Sequence, residues 1–361
     1  MDSRTDRAVL RALAQVAPGT PLRDGLDRVL QSGRGGLIVI GDGPDVLNIC
    51  SGGFLLDAAF TPQRLSELAK MDGAIILAGD ASRIARANVH LVPNPNVPTS
   101  ETGTRHRTAE RVARSLNVPV IAVSESRKQI QIYANDQRHP LQPVSRLLER
   151  TNQALQTLER YRTRLGLVTR RLTVLELHGM VTLRDVTEVL QRSEMVIRIA
   201  AEVERNLVEL GSDGRLVRFQ LEELMAGVAD DRRLLIRDYS ADDSGFSIDA
   251  AMQVLAELDD QALFDDAVLA KSLRLAEAAA DPEEHLEPRG LRLLSRLARV
   301  SVETADLVVE KFGSLRAVLE ASPDDLAAVG GIGVARAQPI VAGLARLENE
   351  FRADLDDRTT I

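Results

Sequence analysis

Thr102-Gly103-Thr104-Arg105-His106-Arg107-Thr108-Ala109-Glu110-Arg111 sets two arginines about a histidine, with hydroxyls on either side and an apolar helical rhythm (Val112, Leu116) directly after. Such a run gathers cationic side chains, hydroxyls and unpaired backbone N–H groups at one helix N-terminus, which is the geometry of a polyphosphate cradle. Each charge-assisted N–H···O⁻ bond to a phosphate contributes roughly 1.5–3 kcal/mol. Arginine adds bidentate forks, and hydroxyls fill the remaining lone pairs. A solvated basic patch that opens a helix is written with the same residues, and chemistry alone leaves both readings standing.

Upstream, Met71-Asp72-Gly73-Ala74 opens the apolar run Ile75–Leu77. Asp-Gly is a common turn dipeptide, so a plain helix-to-strand turn is one reading. The other needs Asp72 as an oxygen ligand for Mg²⁺ or Mn²⁺ held against phosphates, and Gly73 to let backbone approach a ligand. Two commoner nucleotide motifs fail. Gly41-Asp42-Gly43-Pro44-Asp45-Val46 lacks the third glycine of the dinucleotide fingerprint, and no Gly-x-x-x-x-Gly-Lys-Ser/Thr occurs.

Outward from this site, residues 4–33 carry two apolar helical faces (Val9, Leu10, Leu13, Val16; then Leu22, Leu26, Val29, Leu30) split by Pro18-Gly19. Leu37–Ile40 reads as a buried strand, Gly41–Gly43 as a turn, and Val46–Cys50 as the returning strand. Thr61-Pro62 starts a helix through Leu65 and Leu68 to Met71. Ala74–Ala78, Ile84–Leu91, a helix from Thr104 to Leu116, then Pro119–Val123 and Ile130–Tyr133 complete an alternating α/β series about a mixed sheet.

From Pro143 the pattern becomes almost purely helical. Leu155, Leu158, Tyr161, Leu165, Val168, Leu172 and Leu175 recur at threes and fours, so Ser145–Leu177 predicts a helix about 50 Å long at 1.5 Å per residue. Gly179 ends it, His178 reads as its C-terminal residue rather than a ligand, and 183–210 and 216–239 supply further helices. This region holds no catalytic cluster. Ala278–Pro288 reads as a linker. Short helices follow at 290–298, 302–311, 314–320, 323–328 and 334–347, with Val329-Gly330-Gly331-Ile332-Gly333-Val334 between the last two. That Gly-Ile-Gly turn marks a helix-hairpin-helix module, its amides aimed at a phosphate and Ile332 pinned in the core. An upstream copy, Leu297–Val302, lacks the glycines. Arg289, Arg292, Arg296 and Arg299 form a stripe that serves equally as a solvated face or a DNA contact.

Composition bounds the function. The 361 residues are 44% hydrophobic and 3% aromatic, without Trp, and suffice for two or three domains with cores of Leu, Val, Ile and Ala. Net charge is −8, and the segment from 286 onward is itself acidic, so any DNA contact is local; made through hairpin amides to phosphates, it is blind to base sequence. The single cysteine, Cys50, in apolar surroundings, reads as a core thiol. No apolar stretch is long enough for a membrane span, and the polar N-terminus lacks a signal-peptide core, which gives a cytoplasmic expectation.

Asp72-Gly73-Ala74 and Arg105-His106-Arg107, in this order and spacing, resemble the diadenylate cyclase family. With Gly-Ile-Gly in its place, essentially the whole chain is similar to the DNA integrity scanning branch of that family. The resemblance implies an α/β cyclase domain with a mixed sheet (1–142), an all-α helical spine (143–285) and a C-terminal helix-hairpin-helix DNA-binding domain (286–361). It implies condensation of two ATP into cyclic di-AMP with release of two pyrophosphates, using Mg²⁺ or Mn²⁺. It further implies a bacterial, nucleoid-associated homo-octamer with cyclase domains face to face, regulated by branched or damaged DNA. Two ATP must meet, so opposed sites would do the chemistry largely by positioning and charge neutralisation. By the same resemblance Asp72 holds metal and helps activate a 3′-hydroxyl, and Gly73 lies against the nucleotide. Arg105, His106 and Arg107 with Thr104 and Thr108 hold phosphates, Leu91 touches adenine, and Ser124 and Glu125 complete the phosphate or metal site. Gly331, Ile332, Gly333 and Val334 face DNA. The degenerate first hairpin and acidic tail (Asp354, Asp356, Asp357) depart from the pattern and bear on DNA affinity. A DNA-binding scaffold whose pocket senses ATP without catalysis is the alternative.

Overall fold

Proline and glycine punctuation places the first elements. A computed structural model describes residues 3–240, 247–275, 281–298, 300–330 and 332–356. Helices α1 (Ser3–Gln15) and α2 (Pro21–Gln31) break at Gly19, whose φ is +88°. Thr20 then caps α2 by accepting from the Arg23 amide, with Pro21 at the first helical position. Next come β1 (Gly36–Ile40), α3 (Pro44–Asn48), β2 (Cys50–Ser51), β3 (Phe54–Ala59), α4 (Pro62–Leu68), β4 (Ala74–Leu77) and β5 (Arg83–Leu91). Helix α5 (Thr104–Leu116) and strands β6 (Val120–Ser124), β7 (Gln129–Ala134) and β8 (Gln137–Pro140) follow.

The strands form one sheet in the order β2-β5-β4-β1-β6-β7-β8, with β3 also paired to β5. β1 and β4 run parallel and the other pairs antiparallel, so the sheet is mixed as expected. Period-two alternation divides its side chains between two cores. Ile38, Ile40, Ile75, Leu77, Ile121 and Val123 pack with α1, α2 and α4. Leu37, Val39, Ile76, Val120 and Ala122 pack with α5. Covered on both faces, β1 is an unbroken apolar run, and each such side chain contributes roughly 1.5–3 kcal/mol.

The expected strand at Val46–Cys50 is instead mostly the short helix α3. Pro44, with φ already fixed and no N–H to lose, sits at its first position after Gly43 and turns the chain before a ladder can form. The strand begins only at Cys50. Cys50 itself is half-buried, its thiol donates to the Val46 carbonyl at 3.1 Å, and burial pushes its pKa up, against a nucleophilic role.

The remainder is helical: α6 (Val144–His178), α7 (Leu183–Leu210), a 3₁₀ turn (Gly211–Gly214), α8 (Arg215–Met225), α9 (Val228–Tyr239), α10 (Ile248–Glu257), α11 (Asp260–Leu263) and α12 (Asp266–Leu273). Gly179, at φ +65°, ends α6 with the Met180 amide returning to the Leu175 carbonyl, a Schellman stop. The terminal set is α13 (Leu291–Leu294), α14 (Val302–Phe312), α15 (Leu315–Glu320), α16 (Pro323–Ala327) and α17 (Val334–Asp356). Ser301, Ser314 and Ser322 cap three of these by accepting from the amide three residues on. By contact density the chain divides into two units, Met1–Leu155 with Ala201–Leu221, and Gln156–Ala200 with Glu222–Ile361.

Three arginines of the stripe, Arg289, Arg292 and Arg296, are each tied to partners within the protein, and Arg296 stays exposed. Arg289 donates to the carbonyls of Arg237 and Ser240. Arg292 is 1% exposed and forks onto Glu176, which also accepts from Tyr239. Arg296 pairs with Asp231 at 3.0 Å. Arg299 lies outside the described residues, as does Gly331 of the hairpin. Asp238 accepts from the amides of Gly290, Leu291 and Arg292, and burial, aided by the Glu176 charge, pushes its carboxyl up to about 7. Truncating Arg292 would strand the Glu176 charge in the interior. Arg292→Ala is therefore expected to cost about 3–5 kcal/mol, read as an earlier unfolding midpoint in urea by circular dichroism.

Candidate active site

Helix α5 is held to the sheet by Ala109, Val112 and Ala113, all fully buried. Gly103 precedes it in extended conformation and brings no side-chain cap, so the first-turn amides are left for something else to satisfy. This helix start faces the turn between α4 and β4 across a cleft of about 760 Å³. Asp72, Gly73 and Leu91 line one side, and Thr104, Arg105, His106 and Thr108 the other. Ser124, the last residue of β6, and Glu125 after it close the end. Of the expected N-terminal site residues, Arg107 alone does not line the cleft. Its guanidinium turns back to the carbonyls of Glu101 and Thr102, each at 3.4 Å. Leu37, Val89, His90 and Ser126 line the cleft as well, with no motif to announce them.

Asp72 is 99% exposed and touches Arg105 at 3.3 Å, a contact too open to contribute more than about 1 kcal/mol. The glycines here serve the frame. A Cβ on Gly73 would stand 2.5 Å from the backbone of Asn88, where β5 bulges against β4, so packing against protein already requires the glycine. A Cβ on Gly35 would lie 2.0 Å from a guanidinium nitrogen of Arg105.

Beneath the cleft runs a polar chain the sequence did not display. The Tyr133 hydroxyl donates to buried Glu101 at 2.9 Å, and Arg138 reaches the same carboxylate at 3.3 Å. Tyr133 Oη also lies 2.9 Å from His106 Nδ1. Having spent its one proton on Glu101, the hydroxyl must accept from Nδ1–H. That assigns the tautomer and leaves Nε2 of the neutral ring as an acceptor. Burial lowers the His106 pKa, Arg127 and Arg105 add to this, and Glu101 opposes it. The loop before α5 is stitched down in the same way. Buried Glu110 accepts from the Thr99 hydroxyl at 2.5 Å and the Ser100 amide at 3.0 Å. Burial alone would raise Glu110, but these bonds and Arg114 hold it below its ordinary value.

In the second unit, Ile332 is 1% exposed within the terminal core, as expected of a hairpin pin. A Cβ on Gly333 meets nothing within 4 Å, and its φ is not positive. Neither packing nor backbone conformation requires glycine there. Gly333 and Val334 are exposed at the start of α17.

Three family models match in chain order. The DisA bacterial checkpoint controller nucleotide-binding model covers 23–138, its linker region 141–281, and a SAM-like helix-hairpin-helix tandem 291–346. The DNA integrity scanning protein DisA of Frankia alni is 50% identical over 338 residues, covering 93% of this chain and 94% of its own. The chain belongs to the DisA family. DisA of Streptomyces coelicolor is 46% identical over 345 residues (95% and 92% covered), and that of Kineococcus radiotolerans 48% over 349 (96% and 97%). Among the described residues no helix is long and apolar enough to cross a membrane.

The His106 assignment has a measurable consequence. As pH falls through the ordinary histidine value of 6.5, the unfolded chain takes up a proton before the folded one. Stability from this residue is complete above about pH 7 and declines as pH drops through the lower folded value. Nitrogen-15 NMR is expected to find His106 as the neutral Nδ1–H tautomer with a pKa below 6.5, and Tyr133→Phe to abolish the tautomer preference.

Proposed function

We propose that the protein is a diadenylate cyclase that condenses two ATP into cyclic di-AMP and releases two pyrophosphates. The observation that carries this is the convergence of Asp72 with Arg105, His106 and the uncapped start of α5 in one cleft. Its volume of about 760 Å³ suits one nucleotide, since ligand pockets run to roughly 300–1,000 Å³. Two substrates therefore call for two clefts, face to face, and we place the activity in a homo-octamer that brings them together. Each ribose 3′-oxygen then attacks the α-phosphorus of the opposite ATP, with pyrophosphate leaving in line.

Arg105 and the first-turn amides carry the phosphates, joined by Thr104, Thr108 and, on reorienting, Arg107. Neutral His106 offers Nε2 as an acceptor to a ribose hydroxyl, and meets phosphate as a donor only when protonated. Leu91 borders the base, and Gly73 keeps the Asp72 turn tight against β5. The donor set fits Mg²⁺ or Mn²⁺. Asp72 and Glu125, both lining the cleft, give hard oxygen ligands for an ion shared with phosphates. When bound, the ion neutralises phosphate charge and eases ionisation of the attacking hydroxyl.

The C-terminal hairpin, Gly331–Val334, is assigned to the backbone phosphates of branched or damaged DNA, whose binding lowers cyclase output. The open space about Gly333 supports this reading, because a close-approaching phosphate is one reason to keep a glycine there.

Asp72→Asn is expected to reduce cyclic di-AMP formation at least about a hundredfold with the fold unchanged, read by mass spectrometry of nucleotide products from ATP and Mn²⁺. If the wild-type chain binds ATP yet yields no dinucleotide under those conditions, the protein is an ATP-sensing DNA scaffold instead. Gly333→Glu is expected to weaken branched-DNA binding about tenfold or more in a gel-shift titration while cyclase turnover on free ATP stays at the wild-type rate.

A further inference from the structure

A second cationic cavity lies within the other unit, among α6, α7, α9 and the residues after Pro288. It measures about 230 Å³ and is lined by Arg162, Arg170, Arg232, Arg292 and Arg296, with Asp231 the one acidic group. Three further carboxylates stand near but are committed, among them Asp238, which accepts from the amides of Gly290, Leu291 and Arg292. Glu176 takes Arg292 and the Tyr239 hydroxyl, and Glu194 is shared between Arg232 and Arg198. Asp231 holds Arg296. Arg162 spends its Nε on the Leu224 carbonyl, and exposed Arg170 has no ion pair among the described residues. Five guanidinium groups thus face four carboxylates, one of them divided with a sixth arginine.

Donors outnumber acceptors here as well. Arg292 is 1% exposed and Arg232 8%, yet NH1 of the first and Nε of the second are buried without a hydrogen-bond partner. Buried donors are nearly always satisfied, and charged ones are the costliest to leave bare. Desolvation lowers the pKa of Arg232 and Arg296, and for Arg296 the neighbouring Arg292 charge adds to the effect. An anion seated among these guanidinium groups would supply acceptors and charge where both are short.

We propose that this cavity is a binding site for a small phosphate oxyanion, inorganic phosphate or pyrophosphate. Size decides the class. At ~30 Å³ per water the space equals about eight waters, below the roughly 300 Å³ at which pockets begin to enclose a whole organic ligand. Tetrahedral geometry suits converging guanidinium forks. The site is separate from the N-terminal cleft and does not rest on the cyclase reading.

Isothermal titration of the full-length protein with inorganic phosphate, and separately with pyrophosphate, tests it. Arg170→Gln changes an exposed, unpaired side chain and leaves folding intact; Arg296→Gln changes a second wall. Either is expected to weaken the binding of the preferred anion about tenfold or more, the loss of one charge-assisted contact. Arg105→Gln, in the N-terminal cleft, is expected to leave that binding unchanged. Wild-type affinity for both anions in the Arg170 and Arg296 variants would overturn the proposal. So would binding that disappears only with Arg105→Gln, or no binding of either anion to the wild type.

Discussion

Glu101 is the carboxylate from which the cleft hangs. It lies buried, holds the Tyr133 hydroxyl and Arg138, and through Tyr133 fixes the face and proton of His106. The adjoining residues Thr99 and Ser100 are bound in turn by Glu110 of α5. Sheet, loop and helix start are therefore joined by one satisfied polar chain in a region of low dielectric, where such bonds are strong and their loss expensive. A phosphate-binding helix terminus needs amides that are free yet immobile, and this chain supplies the second property without consuming the first.

Much of the frame was legible in residue order, for identifiable reasons. Thr61-Pro62 carries its helix start in capping and Thr104–Leu116 its extent in apolar spacing, and β1, β4 and β6 are buried on both faces and so read as plain apolar runs. Strand β3 escaped notice because Phe54 and Leu55 are exposed and follow no alternation. Strand β8 escaped because Gln137–Pro140 is polar and lies at the sheet edge. In the candidate site, Asp72 and the Arg-His-Arg triplet are local and chemically loud. Glu101 and Tyr133 meet only through the fold, and no spacing rule links a loop acid to a strand tyrosine.

The helical unit teaches the complementary point. Arginines at threes and fours look like one stripe, but recurrence along a chain says nothing of what lies opposite. Glu176 and Asp231 sit far earlier in sequence; Glu176 draws Arg292 inward, and Asp231 ties down Arg296, which stays exposed. Hydrophobic surroundings convert such cations from a surface property into an internal electrostatic demand. An acidic protein can in this way hold a local cluster of arginines that its net charge conceals.

The place occupied by Gly35 carries a last implication. It admits the head of Arg105 only because it bears no side chain, while the colliding atoms are the far end of a flexible arm. Enlarging that residue would swing the cation aside and leave the hydrophobic framework undisturbed. A relative could thus preserve every letter of the Arg-His-Arg triplet and still point its leading charge the wrong way. Competence across such relatives is written partly in a loop that no signature reads.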